Sequence, residues 1–192
     1  YEGVITPATG HIYVHETGAI EATGHKVITV PNVFGKLTAE GVESLVLGHP
    51  DFHMVKPGIV YISNSTEYGT VYSKEELTSL SNVCKKYSLY FYIDGARLGC
   101  ALTSKMCDYS LAEMASLCDA FYIGGTKNGL ILGEALVVTS ESLNKDIRYA
   151  IKCHGGMYAK GFVNGIMFNE LFTDNLFFDI ARKENELAET LY

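Results

Sequence analysis

A single lysine between glycines is the residue of this sequence best placed to do chemistry. Lys127 lies in the segment Gly124-Gly125-Thr126-Lys127-Asn128-Gly129, between two apolar runs at residues 120–123 and 135–138. Both runs have the length and composition of buried strands. A lysine held at a strand end inside a protein is costly unless it is paired or chemically used. Its usual chemical use is an imine with a carbonyl compound.

The length of this connection predicts the direction of the second strand. A parallel crossover needs roughly a dozen residues or more, whereas residues 125–133 number only nine. We therefore expect the second strand to return antiparallel to the first. Glycines on both sides of Lys127 allow the sharp turn that this return requires.

A buried carboxylate is predicted at Asp94, which directly follows the apolar and aromatic run of residues 89–93. A carboxylate in that position is desolvated and needs a cationic partner. One interpretation is a helix N-cap or an ion pair with Arg97. The other is the partner of a protonated pyridine nitrogen, which keeps a pyridoxal ring an electron sink. Lys127 likewise fits either a surface lysine in a glycine turn or cofactor chemistry. The two residues on successive strand ends together favour the cofactor.

Histidine patterns add one candidate and no metal site. His11 precedes an aromatic segment that contains glycines, and beside a planar cofactor its ring could stack and exchange protons. A lone histidine more often has a structural role than a catalytic one. The i,i+4 pairs His11/His15 and His49/His53 lack the flanking pattern of a zinc motif. The absence of Gly-rich phosphate loops and of a G-x-S-x-G elbow disfavours dinucleotide-binding proteins, P-loop proteins and serine hydrolases.

Hydrophobic periodicity predicts the elements that position these residues. Strands are predicted at residues 26–30, 58–63, 89–93, 120–123 and 135–138, and helices at residues 37–47, 73–87, 110–117, 141–153 and from about 160 onward. Residues 9–24 are predicted as a loop followed by a short helix. Capping boxes at Ser73-Lys-Glu-Glu76 and Ser110-Leu-Ala-Glu113 mark two helix starts.

The order of these elements predicts a single α/β domain over residues 1–192. Its sheet is expected to be mostly parallel, with one antiparallel strand and helices on both faces. Ligands bind beyond the carboxyl ends of the strands in such sheets. Asn64, Asp94 and the Lys127 loop all follow strand ends, so we expect them at one edge.

Composition excludes several classes of protein. The 192 residues are 47% hydrophobic, and a net charge of −7 with a pI near 5.3 argues against a nucleic-acid partner. No apolar run approaches the roughly 18–20 residues of a membrane span. The cysteines are odd in number and scattered, which is typical of reduced thiols in a cytoplasmic protein. They are Cys84, Cys100, Cys107, Cys118 and Cys153.

Three motifs, in this order and spacing, resemble the threonine aldolase/β-eliminating lyase family, whose members are fold-type I enzymes that use pyridoxal 5′-phosphate (PLP). They are Thr9-Gly10-His11-Ile12-Tyr13 with Glu16-Thr17-Gly18, then Asp94-Gly95-Ala96-Arg97-Leu98, then Thr126-Lys127-Asn128-Gly129. The resemblance implies the core of a fold-type I large domain and a role for each residue. His11 would stack over the pyridine ring, Asp94 would bind its nitrogen, and Lys127 would form the imine. Thr126 would also bind the cofactor, and Arg97 would hold the substrate carboxylate.

Two segments depart from the family pattern. Relatives carry Asn-Thr-His-Asn-Gly where this chain reads Ser65-Thr66-Glu67-Tyr68-Gly69, so Glu67 replaces the histidine that contacts the β-hydroxyl of the substrate. Relatives carry Gly-Gly-Gly-Met-Arg where this chain reads His154-Gly155-Gly156-Met157-Tyr158, and Lys160 would substitute for the phosphate-binding arginine. The resemblance is expected to cover the large-domain core, without the N-terminal phosphate loop and the C-terminal small domain of the family.

The resemblance implies a PLP-dependent lyase that cleaves a β-hydroxy-α-amino acid of the threonine or allo-threonine type to glycine and an aldehyde. His11, Glu67 or a bound water would take the β-hydroxyl proton. Glu67 in place of histidine keeps β-elimination and transamination open as alternatives. An inactive fragment or a non-catalytic oligomerisation module is the alternative from a different class. The expected partners are a small amino acid and further copies of the chain, as a homodimer or homotetramer, with no nucleic acid and no membrane.

Overall fold

The computed structural model describes residues 1–191, which form a six-stranded sheet flanked by helices. The strands are β1 (Glu2–Pro7), β2 (Lys26–Val30), β3 (Lys56–Ser63), β4 (Tyr90–Asp94), β5 (Ala120–Gly124) and β6 (Glu134–Val138). The helices are α1 (His11–Val14), α2 (Ala19–Ala22), α3 (Ala39–Leu47), α4 (Lys74–Lys86), α5 (Leu98–Leu102), α6 (Leu111–Leu117), α7 (Glu141–Asn144), α8 (Ile147–Cys153), α9 (Phe162–Leu171) and α10 (Leu176–Leu191). A 3-10 turn, Thr173–Asn175, lies between the last two helices.

The sheet is mostly parallel and has the strand order β2-β1-β3-β4-β5-β6. Strands β2, β1, β3, β4 and β5 pair parallel with their neighbours, and β6 alone returns antiparallel to β5. The antiparallel return predicted from the short connection is therefore confirmed. The sequence did not predict β1, which lies between β2 and β3 and pairs with both. Its apolar stretch is short, and neighbours on both sides stabilise it more than its own pattern does.

Local capping chemistry sets the helix starts. The Ser73 hydroxyl accepts the Glu76 N–H at 3.2 Å, while the Glu76 carboxylate accepts the Ser73 N–H at 2.7 Å. Ser110 and Glu113 repeat this arrangement at 3.2 and 2.8 Å, so both predicted capping boxes are confirmed. Helix α3 starts two residues after the predicted position because Thr38 caps it, accepting the Gly41 N–H at 3.1 Å. Residues 141–153 form two helices rather than the one predicted.

The two faces of the sheet differ in character. On one face Val60, Ile62, Phe91, Ile93 and Phe121 are buried in a core that also contains side chains from α3, α4, α6 and α10. The other face carries half-buried tyrosines of β3, β4 and β5, because side chains alternate along a strand. The strand predicted at residues 89–93 from its apolar and aromatic run is therefore not buried on both faces, since Tyr90 on this face is 38% exposed.

All five cysteines are free thiols. Cys84 and Cys118 are buried, and burial raises the pKa of each thiol to about 12. Within residues 1–191, no helix is both long and apolar enough to span a bilayer. The same part of the chain brings together no cluster of three His, Cys, Asp or Glu side chains that could hold a metal ion.

Candidate active site

The carboxyl ends of three neighbouring strands meet at one edge of the sheet. Ser63 at the end of β3 lies in register with Asp94 at the end of β4, and β5 ends beside them at Gly124. A small cavity of about 60 Å³ opens there. Its lining includes five residues predicted from the sequence, which are His11, Glu67, Asp94, Arg97 and Lys127. The two larger cavities, of about 660 and 500 Å³, contain none of these five.

Two glycines bring the Asp94 and Lys127 loops into contact. The Gly124 N–H donates to the Gly95 carbonyl at 2.9 Å. A Cβ on Gly95 would lie 2.0 Å from the Tyr122 carbonyl oxygen, and a Cβ on Gly124 would lie 2.5 Å from that of Ala96. Only glycine permits backbones to approach this closely. The glycines of both motifs are therefore explained by the packing of one loop against the other.

Asp94 is buried among neutral donors. Its side chain is 5% exposed, its Oδ1 accepts the Ala96 N–H at 2.9 Å, and its Oδ2 accepts a hydrogen bond from the Tyr61 hydroxyl. Neither Arg97 nor any other cation within residues 1–191 forms an ion pair with this carboxylate. A buried carboxylate that has no cationic partner is an energetically favourable binding site for a cation.

Lys127 is exposed, so the prediction that it lies inside the protein is wrong. Residues 125–129 form a turn beyond the end of β5, and Lys127 is one of the residues that line the cavity. Asn128 of this turn is buried, at 1% exposed. Its side-chain amide donates to the carbonyls of Gly124 and Ala96 at 2.5 and 3.3 Å. Asn128 thus fixes the turn that carries Lys127. Because the buried anchor of the turn is a neutral amide, the ammonium group of Lys127 does not have to be buried.

Glu67 has one occupied and one unoccupied carboxylate oxygen. Its Oε1 accepts the backbone N–H of His11 at 2.9 Å and the Ser63 hydroxyl at 2.6 Å. Its Oε2 is buried and has no hydrogen-bond partner among the described residues. A buried acceptor without a donor is unfavourable by about 1–3 kcal/mol. Because Glu67 lines the cavity, this oxygen is available to a donor on a ligand.

His11 is held by its side chain as well as by its backbone. Its Nδ1 lies 2.6 Å from Glu16 Oε1, and the two side chains are 40% and 42% exposed. Glu16 also lines the cavity. The hydrogen bond fixes the orientation of the imidazole at the edge of the cavity, where its face or its Nε2 can meet a ligand.

The structure adds residues that the sequence reasoning missed as functional, namely Glu16, Tyr61, Ser63 and Asn128. Glu16 and Asn128 stand within the quoted motifs, but no pattern indicated their contacts. The Thr126 hydroxyl donates to Glu134 Oε1 at 3.1 Å, and Thr126 is not part of the cavity lining. Lys160 is exposed and also outside that lining. The cofactor roles of Thr126 and Lys160 stay predictions.

Comparison with known proteins agrees with these motifs. A family model described as beta-eliminating lyase matches residues 1–189. The chain belongs to this family. It is 34% identical over 162 residues to the low specificity L-threonine aldolase of Pseudomonas aeruginosa, covering 83% of this chain and 47% of that protein. It is 32% identical over 193 residues to the enzyme of the same name from Pseudomonas sp., covering 100% of this chain and 56% of that protein.

Among solved structures, this chain is similar to the threonine aldolase of Leishmania major, with a TM-score of 0.95 and 49% sequence identity. The match covers 98% of this chain and 55% of that one. The chain spans about half the length of the curated relatives it matches. These similarities confirm the family and the mostly parallel fold-type I architecture with one antiparallel strand that the sequence predicts.

Proposed function

We propose that the complete protein is a PLP-dependent lyase that cleaves β-hydroxy-α-amino acids of the threonine or allo-threonine type to glycine and an aldehyde. The observation that carries this proposal is that the buried carboxylate of Asp94 and the amine of Lys127 line one cavity at the sheet edge. Relatives named low specificity L-threonine aldolase support the same reaction.

The residues of the site fit PLP. Asp94 is buried with neutral donors only, and a pyridinium nitrogen would supply the cation that this carboxylate lacks. Lys127, on a turn anchored by Asn128, is the amine that would hold the aldehyde carbon of the cofactor. When bound, PLP supplies a protonated ring that accepts the electron pair released at the substrate Cα.

The side chains around the cavity divide the remaining tasks. Arg97, exposed at the cavity wall, binds the substrate carboxylate with its planar guanidinium group. His11 provides an imidazole face whose orientation Glu16 fixes. Glu67 Oε2 accepts the proton of the β-hydroxyl as the Cα–Cβ bond breaks, because it is the cavity carboxylate oxygen without a donor.

β-Elimination is the second candidate reaction, and Glu67 is the observation that favours it. A carboxyl group beside the β-substituent can donate a proton to a leaving group as readily as a carboxylate accepts one from a hydroxyl. Incubation with threonine and separately with cysteine discriminates the two reactions. Glycine as the product of threonine supports aldol cleavage, whereas pyruvate from cysteine supports elimination.

We also infer a homodimer or homotetramer in the cytoplasm. Large apolar side chains are exposed in α8, in α9 and in the turn before β6, including Tyr149, Phe162, Ile166 and Ile131 at 79%, 64%, 64% and 87%. Large exposed apolar side chains such as these are typical of subunit interfaces. Free cysteines support a reducing compartment. Light scattering coupled to size-exclusion chromatography measures the subunit number.

Replacement of the lysine tests the proposed function directly. Lys127→Ala in the complete protein is expected to abolish the visible absorbance band that PLP acquires when bound to a lysine, together with threonine cleavage. Lys145→Ala, at an exposed lysine of the segment between α7 and α8, is the matched control and is expected to leave both unchanged. Retention of the band in Lys127→Ala would exclude Lys127 as the attachment site.

A further inference from the structure

Three tyrosines lie on the sheet face that also carries Asp94. Tyr61 of β3 is in register with Tyr92 of β4. In β4 and β5, Ile93 pairs with Phe121, and Asp94 and Tyr122 are the next residues of these two strands. The Tyr61 hydroxyl donates to Asp94 Oδ2, and the Tyr122 side chain lies close to the same carboxylate and lines the same cavity. The Tyr92 ring instead stacks on Tyr61, with centroids 5.3 Å apart and planes inclined by 19°.

We propose that Tyr61 and Tyr122 are positioning residues that orient the Asp94 carboxylate toward the pyridine nitrogen of the cofactor. This inference rests on the proposed function, since it assumes that Asp94 binds PLP. It adds two residues to the cofactor site that none of the sequence motifs contain.

The argument starts from the number of acceptor positions. An ionised carboxylate offers about four lone-pair sites. The Ala96 N–H takes one at 2.9 Å, and the Tyr61 hydroxyl takes another. At least one site is then left for the N–H of a pyridinium ring. Donors from β3 and from the loop after β4 thus fix the carboxylate plane, with Tyr122 of β5 beside it, and an incoming ring meets an acceptor that needs little reorganisation.

The tyrosines act only as donors. Burial and the charge of Asp94 raise the pKa of both Tyr61 and Tyr122 well above the usual range of a phenol. Both hydroxyls therefore keep their protons at neutral pH. Neither would take the proton of a pyridinium ring, which would be left to Asp94.

Simple aromatic packing is the alternative explanation, and Tyr92 provides the comparison. Its ring shares the sheet face and stacks on Tyr61, and burial also raises the pKa of its hydroxyl. Tyr92 lacks the hydrogen bond to Asp94 that Tyr61 makes. A packing role predicts the same effect from removing either hydroxyl, whereas positioning predicts an effect at Tyr61 and none at Tyr92.

The test compares Tyr61→Phe and Tyr122→Phe with Tyr92→Phe in the complete protein. The readouts are the PLP dissociation constant, from fluorescence titration, and the pH titration of the visible absorbance band. Tyr61→Phe is expected to weaken PLP binding by about tenfold, the loss typical of a hydrogen bond to a charged group or to a ligand-orienting residue. Tyr92→Phe is expected to stay within about twofold of the wild type. The titration of the band is expected to shift only in the first two variants.

A double-mutant cycle with Asp94→Ala completes the test. If Tyr61 acts through Asp94, the effect of Tyr61→Phe on PLP affinity disappears once the carboxylate is removed. Equal effects of Tyr61→Phe and Tyr92→Phe, or tighter binding in Tyr61→Phe, would overturn the inference while leaving the proposed function intact. A wild-type protein that does not bind PLP would refute the proposed function and this inference with it.

Discussion

Replacing Glu67 by glutamine isolates the chemistry of one oxygen atom. The side-chain oxygen of glutamine can keep both hydrogen bonds of Oε1, from the His11 N–H at 2.9 Å and the Ser63 hydroxyl at 2.6 Å. The amide nitrogen then takes the place of Oε2, which has no partner among the described residues. The substitution therefore converts a free acceptor into a donor and leaves the rest of the network in place.

The change in stability follows from these contacts. Two hydrogen bonds lose their charge assistance, which destabilises the fold by about 1 kcal/mol each. The amide nitrogen that replaces Oε2 is itself buried without a partner, so this position stays unfavourable by about 1–3 kcal/mol, as in the wild type, and offsets nothing. We therefore expect the free energy of unfolding of Glu67→Gln to be lower than that of the wild type by about 2 kcal/mol. Thermal or urea unfolding of the complete protein measures it.

The activity is expected to fall as well, although the protein remains folded. A positioned general base contributes about 10²–10⁴-fold to a rate, so kcat for threonine is expected to fall by at least about 100-fold, or about 2.7 kcal/mol. Binding of PLP is expected to persist because Asp94 and Lys127 are unchanged. The assay follows acetaldehyde release with a coupled dehydrogenase.

Ser65→Ala is the matched control, since Ser65 lines the same cavity and makes no hydrogen bond to Glu67. It is expected to retain nearly full activity. If Glu67→Gln cleaves threonine within about threefold of the wild-type rate, Glu67 is not the proton acceptor, and His11 or a water must take that role.

Two further predictions concern the scaffold. Gly95→Ala would place a Cβ 2.0 Å from the Tyr122 carbonyl oxygen, so it is expected to destabilise the fold by about 3 kcal/mol and to abolish PLP binding. The control is Gly165→Ala in α9, where nothing lies within 4 Å of the added Cβ, and it is expected to stabilise the fold by about 0.5–1 kcal/mol. A normal melting temperature for Gly95→Ala would contradict the close approach of the two loops. Hydrogen bonds from Lys74 and Ser110 lower the pKa of Glu113 from 4.5 to about 2, so its stabilising contribution is present above pH 4.5 and lost as the pH falls toward 2. Glu113→Gln is expected to lower the urea midpoint at pH 7, and the difference from the wild type should vanish near pH 2; a constant difference would argue against this linkage.

Features that act locally could be predicted from the sequence. The capping boxes at Ser73 and Ser110 involve side chains three residues from their partners, so a segment of four consecutive residues specifies each of them. The antiparallel return of β6 followed from the length of its connection. Asp94 and Lys127 share a cavity as predicted because successive parallel strands end at the same edge.

Features that depend on contacts between distant residues could not be predicted. The exposure of Lys127 depends on Asn128, which bonds to the carbonyl of Ala96 at 3.3 Å across 32 positions of sequence. The hydrogen bond of Tyr61 to Asp94 joins residues 33 positions apart, and alternation along β3 marks Tyr61 only as a residue of the less buried face. The strand β1 is defined by its two neighbours rather than by its own residues.

The backbone contact between Gly95 and Gly124 has a consequence for redesign of the proposed active site. It connects the loops that carry Asp94 and Lys127, whereas Glu67 belongs to the loop after β3 and accepts hydrogen bonds from the Ser63 hydroxyl and the His11 N–H. Attachment of the cofactor at Asp94 and Lys127 and proton transfer at Glu67 would therefore depend on separate segments of the chain. Substitutions of Ser65, which lines the cavity next to Glu67, are expected to change which amino acid reacts without weakening cofactor binding, as long as Glu67 itself is kept.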